Sequence, residues 1–124
     1  MKSLVYLSII AVCILFISCE KSYVEPPEAL PDVSFNDDVL PILVSHCESC
    51  HQIGKVFPGL ILSSEKAYNQ LLFDGVNAPY VNTNDPEASK IYYRLNKDMP
   101  QFGLLPNSQI AIILKWIQEG AENN

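Results

Sequence analysis

"SHCESCHQ", residues 45–52, places two cysteines and both of the chain's histidines in eight consecutive positions. Within it, Cys47, Cys50 and His51 form a C-x-x-C-H run. Three chemistries draw on such side chains: a zinc cage, a redox dithiol and the thioether attachment of a haem. The rest of the chain must decide among them, and the fold follows from that decision.

The other cysteines narrow the choice. Residues 1–19, "MKSLVYLSIIAVCILFISC", have one lysine, then an apolar run from Leu4 to Ile17, then a small residue before Cys19. The run is too short to span a bilayer comfortably and has the layout of a secretory signal. Its end, "LFISC", resembles a bacterial lipoprotein signal, in which cleavage leaves a cysteine as the new N-terminus for lipid attachment. Phe16 departs from that pattern, which usually has leucine three residues before the cysteine. An uncleaved anchor and an ordinary signal peptide are the competing readings. On the lipoprotein reading, residues 1–18 are the signal and Cys19 carries the lipid. One cysteine pair then remains, Cys47 and Cys50, with no other to complete a four-cysteine metal site.

Residues 19–32 follow as a tether; positions 20–32 alone hold three prolines and four acidic residues. At about 3.1 Å per residue it reaches roughly 40 Å when fully stretched. The formal charge is −6, and losing Lys2 with the signal makes the mature chain slightly more negative. Nucleic-acid binding relies on phosphate neutralisation by Lys and Arg, so no nucleic-acid partner is expected. A docking partner would present a basic or mixed face.

Residues 33–124 form one domain, and four helices can be drawn in it. The first lies in "VSFNDDVLPILVSHC", capped by Ser34, with Asp37 and Asp38 suiting its positive end and Pro41 kinking it or delaying its start. The second is "SSEKAYNQLLF", capped by Ser63 or Ser64. The third is "DPEASKIYYRL", with Asp85 as cap and Pro86 in the first turn. The fourth is "NSQIAIILKWIQEG", where Ile110, Ile113, Leu114 and Ile117 make a 3.6-period stripe and Gly120 stops the helix. No segment alternates convincingly as a strand; "GLILSS" is the only strand-like run. An all-α domain is expected, with long loops around 51–62, 73–84 and 96–107. Loops that long in so small a domain call for a reason, and a large cofactor packed beneath them supplies one.

C-x-x-C-H is the haem c attachment pattern. Cysteines three apart on a helical turn point to one side, so both thiols can add to the two vinyl groups. His51 is then held beneath the iron as the proximal ligand. The covalent porphyrin also lets a domain of about ninety residues use the cofactor as part of its core. A zinc site built from His46, Cys47, Cys50 and His51 fails on spacing, because structural zinc sites draw ligand pairs from separated segments. A thioredoxin-like dithiol needs a βαβ context that the sequence lacks. The sixth iron position falls to Met99 in "NKDMPQF", 48 residues after His51 and the only methionine left once the signal is removed. Its thioether favours ferrous iron and raises the reduction potential; the competing reading is a Met that fills an apolar gap. His46, beside Cys47, sits at the haem edge and is expected to be a bystander.

With these residues in place, the chain resembles a small class I-type c cytochrome domain of the kind found in bacterial lipoproteins and larger multidomain proteins. The matching stretches are "SFNDDVLPILVSHCESCH", "PGLIL", "ASKIYYRL", "DMP" and "IAIILKWIQEGA", covering most of residues 33–121. The resemblance implies a cytochrome c-like fold wrapped around one haem c, with crossing terminal helices and an aromatic pair there, Phe35 and Trp116. It implies that the carbonyl of Pro58 accepts the second N–H of His51. Arg94, the only arginine, could pair with a haem propionate, and Tyr92 or Tyr93 could hydrogen-bond there; a solvated helix charge is the plainer reading. Trp116 reads as core rather than as a propionate partner.

The expected function is one-electron transfer, with no catalysis, by a carrier exported to the periplasmic side or cell envelope. It would be anchored to a membrane by lipid and would meet redox partner proteins. The alternative is a haem enzyme or gas-sensing module with an open or displaceable sixth iron position.

Overall fold

The computed structural model describes residues 31–101 and 103–124. The signal at 1–18, the lipidation site Cys19 and nearly all of the 19–32 tether lie outside the described residues. Four helices and no strand are formed among those described, so the domain is all-α. None of these helices is long and apolar enough to cross a membrane.

Helix α1 opens with a π-helical turn, Phe35–Val39, and continues as an α-helix over Leu40–His46. The Asp37 N–H donates to Ser34 Oγ at 3.2 Å, and the Ser34 N–H donates to Asp38 Oδ2 at 2.8 Å. This is the expected cap. Pro41 does not delay the helix. It has no N–H, and its ring crowds the carbonyl four residues earlier. The preceding turn widens instead, with the Val39 and Leu40 N–H groups reaching back five residues to Ser34 and Phe35.

Helix α2 runs over Ala67–Asn69 and widens over Gln70–Asp74. Neither Ser63 nor Ser64 caps it through a side chain. The Ser63 carbonyl accepts from Lys66 and Ala67 N–H in the turn before it. Gly75 ends the helix, and a Cβ there would lie 2.5 Å from the Gln70 carbonyl oxygen and 2.8 Å from Tyr80 Cε2. Gly75→Ala should therefore cost about 1–3 kcal/mol through overpacking. Urea denaturation should show a lower midpoint with an unchanged slope; an unmoved midpoint refutes the close approach.

The helix expected over 85–95 is split. Pro86–Ala88 forms a 3₁₀ turn, Ser89 is extended, and helix α3 occupies Lys90–Lys97. Asp85 makes no side-chain cap. The cause is Ser89, which is buried, accepts the Asn82 N–H at 2.9 Å and donates to the Asn82 carbonyl at 3.4 Å. A serine bonded to a neighbouring loop in this way competes with helix continuation.

Helix α4 spans Asn107–Gln118. It stops where Gly120 takes a φ of +102°, with the Gly120 N–H on Ile117 O at 3.1 Å and the Ala121 N–H on Trp116 O at 2.9 Å. That double return satisfies the last carbonyls, and its left-handed residue favours glycine. The buried face is Ile110, Ile113, Trp116 and Ile117; Leu114 is only partly covered.

The terminal helices pack on each other through Phe35 and Trp116, with ring centroids 5.1 Å apart. Tyr68 of α2 meets Phe35 edge-on at 5.2 Å and donates its hydroxyl proton to the Ala121 carbonyl. Asn124 clasps the start of α1, accepting the Phe35 N–H at its side-chain oxygen and the Asn36 N–H at its carbonyl. The hydrogen bond from Lys115, and after it that from the Val33 N–H, hold the Glu119 carboxyl below the ordinary range. This end of the domain closes on its own side chains. The loops between α1 and α2, α2 and α3, and α3 and α4 gather elsewhere, around a cavity.

Candidate cofactor site

The C-x-x-C-H run leaves the end of α1 in a tight turn. Cys47 N–H still bonds Leu43 O at 2.9 Å, and the Cys47 carbonyl accepts the N–H of both Cys50, at 3.2 Å, and His51, at 3.0 Å. The loop that follows returns over it: the Phe57 N–H reaches Cys50 O and the Leu62 N–H reaches His51 O. Backbone bonds from both flanks therefore fix the motif.

His51 is held on two sides. Its ring stacks on Phe57 with centroids 5.2 Å apart, and its Nδ1 lies 3.2 Å from the Leu60 carbonyl oxygen. A proton on Nδ1 makes that bond and leaves Nε2 with its lone pair. Burial lowers the imidazole's affinity for a second proton, and the Leu60 carbonyl only partly opposes this. The carbonyl partner was expected to be that of Pro58. The chain instead reverses at Pro58 and Gly59, with the Leu60 N–H turned back to Phe57 O, and the carbonyl that reaches the ring is two residues later.

Cys47 and His51 line a cavity of about 610 Å³, within the usual range for small-molecule and cofactor sites. Its walls are largely apolar, with Leu43, Leu62, Ile91 and Leu95 from the core side. Burial first, and then the neighbouring Cys50, push the Cys47 thiol up to about 11. Such a thiol is protonated at neutral pH and a poor attacking thiolate. Cys50 lines a smaller adjoining cavity of about 60 Å³, which also touches Cys47, His51 and Met99.

Met99 comes to both cavities from the loop after α3. Its N–H and that of Asp98 both bond the Arg94 carbonyl, at 2.9 and 3.0 Å, so the end of α3 fixes where this loop begins. His46 borders only the smaller cavity. Among the described residues, no three His, Cys, Asp or Glu side chains gather as a metal cluster. The side chains that line the larger cavity include two neutral donors suited to a metal ion, the His51 imidazole and the Met99 thioether, beside the Cys47 thiol and the Asp98 carboxylate.

Arg94 lines the cavity with its guanidinium 2.7 Å from Asp98 Oδ2. Tyr92 and Tyr93 do not line it. Tyr92 packs against the core, while Tyr93 is exposed and accepts a hydrogen bond from Lys97 Nζ at its hydroxyl. The tyrosine on the cavity wall is Tyr80. On α3 the cavity face follows the helical period through Ile91, Arg94, Leu95 and Asp98, so that periodicity marks Arg94 and passes over both Tyr92 and Tyr93. Nothing local marks Tyr80; a loop carries it there, with its carbonyl bonded to the Ile91 N–H.

The chain matches no protein-family model, no curated protein and no solved structure. Its chemistry is read from its own residues.

Proposed function

We propose that residues 33–124 are a monohaem c-type cytochrome domain that transfers one electron. In this reading Cys47 and Cys50 anchor haem c through thioethers, and His51 and Met99 hold its iron. The observation that carries it is the meeting of Cys47, His51 and Met99 around one apolar cavity, although Met99 is 48 residues beyond His51 in the chain.

The residues suit the group. Cys47 and Cys50 would each supply an S–H able to add across a vinyl double bond, a step with no leaving group. The Leu60 carbonyl and the Phe57 ring fix the His51 imidazole, so its Nε2 lone pair serves as a ligand with little reorganisation. Met99 supplies a soft thioether beside a largely apolar wall. Held by His51 and Met99, the group would supply a one-electron ferric/ferrous couple. The domain then needs no acid–base pair. Lipidation at Cys19, export to the periplasmic side or cell envelope, and docking to redox partner proteins complete the proposal.

The test is a haem stain after denaturing electrophoresis, because thioether-linked haem survives it, followed by an oxidised visible spectrum. The stain should be positive and the sulfur-to-iron charge-transfer band present. Met99→Ala should keep the stain, lose that band, lower the reduction potential and allow rapid carbon monoxide binding to the reduced protein. A wild-type protein that stains but lacks the band and binds carbon monoxide rapidly is a haem enzyme or sensor with an open sixth position.

A further inference from the structure

Asp98 presents an unexplained charge at the cavity. Its carboxylate is divided between two environments: Oδ2 meets Arg94 Nη1 at 2.7 Å, while Oδ1 is shut off from solvent with no hydrogen-bond partner. Leaving a buried acceptor unpaired is costly, more so when it is charged. Proteins tolerate such groups mainly where they serve a function. Asp98 borders the cavity shared by His51 and Met99 and directly precedes Met99.

Arg94 does not cancel this charge as felt from the cavity. Its side chain is 57% exposed against 40% for that of Asp98, and of the two charged groups only the carboxylate keeps an atom, Oδ1, away from screening water. The pair presents a net negative field to whatever sits between His51 and Met99. A negative field favours the iron state of higher charge.

We propose that Asp98 is a potential-setting residue: its half-sequestered carboxylate, oriented by Arg94, lowers the reduction potential of the haem held by His51 and Met99. This rests on the haem reading above. Asp98 acts through its field and touches no reacting atom. The same field makes the site electronegative at a point where the chain could have placed an amide at no steric cost.

Redox titration of the full-length holoprotein, at fixed pH and low salt, decides the matter with two variants. Asp98→Asn should shift the potential upward, favouring reduction by a given donor about fivefold, with the sulfur-to-iron band intact. Arg94→Gln should shift it downward, and by less than Asp98→Asn shifts it upward, because the lost positive charge is the more screened of the two. Asp98→Glu should remain close to wild type. If Asp98 only braced the Met99 loop, Asp98→Asn would lower the potential and weaken the band, and that result overturns the proposal. An unchanged potential with the band intact overturns it too. Failure of the haem reading would look different: the wild-type protein would carry no covalent stain, and this inference would fall with it.

Discussion

Replacing Cys47 and Cys50 together with serine should abolish covalent haem and leave a protein that denatures at markedly lower urea concentration than the wild-type holoprotein. Serine is close in size to cysteine but has no thiol to add to a vinyl group. His51 and Met99 would then have to retain the porphyrin without a covalent tie, and such coordination bonds exchange. The stability loss follows from the cavity. Leu43, Leu62, Ile91 and Leu95 contribute side chains to a wall enclosing about 610 Å³, and a bound porphyrin would cover those surfaces. A thioether-linked porphyrin stays with the unfolded chain as well, so it acts as an intramolecular ligand whose packing contacts form only in the folded state and which is never diluted away. The stain of the double variant should be null. Either single variant should retain a weaker stain through one thioether. A double variant that stains at wild-type strength would remove these two cysteines from the site altogether.

Much of this arrangement was legible in the sequence, and the parts that were not share a cause. The capping of α1 by Ser34 and the stop at Gly120 depend on local chemistry, the pairing of Phe35 with Trp116 was implied by the family resemblance, and each is found where expected. Met99 could be nominated because it had no rival after the signal was set aside, and the structure brings it to the cavity of Cys47 and His51. The losses came from loops. Pro58 was two residues from the carbonyl that actually faces His51, because only the turn geometry at Pro58 and Gly59 fixes which oxygen returns to the ring. Tyr80 had no periodic signal, and Tyr92 and Tyr93 attracted notice by adjacency to Arg94 although they lie off its helical face. Ser89 broke a helix whose local residues all favoured it, through a bond to Asn82 seven residues away. Nothing in the sequence singles out Asp98; only the fold cuts one of its oxygens off from water.

Trp116→Ala should be the most destabilising single substitution in the domain, by about 3–5 kcal/mol. Trp116 is 1% exposed and touches the three elements that hold the terminal end together. It packs on Phe35 of α1 at 5.1 Å and on Tyr68 of α2 at 6.4 Å, and its Nε1–H donates to the Glu122 carbonyl at 2.9 Å. Truncation leaves a cavity between helices that are too well packed to collapse into it. Domains of this size have about 5–15 kcal/mol in total, so a large part of the margin disappears and the haem-free protein should be substantially unfolded at 37 °C. Trp116→Phe isolates the smaller contribution. It keeps an aromatic ring against Phe35 and Tyr68 and removes the donor to Glu122, which should cost about 1 kcal/mol for the bond, plus the packing of the lost ring atoms. The same pair of variants separates the two roles open to this tryptophan. Trp116 is absent from the lining of the cavity that holds His51 and Met99. Trp116→Phe should therefore leave the reduction potential and the oxidised spectrum unchanged while lowering the denaturation midpoint. A shift in potential without a loss of stability would instead make Trp116 part of the cofactor site.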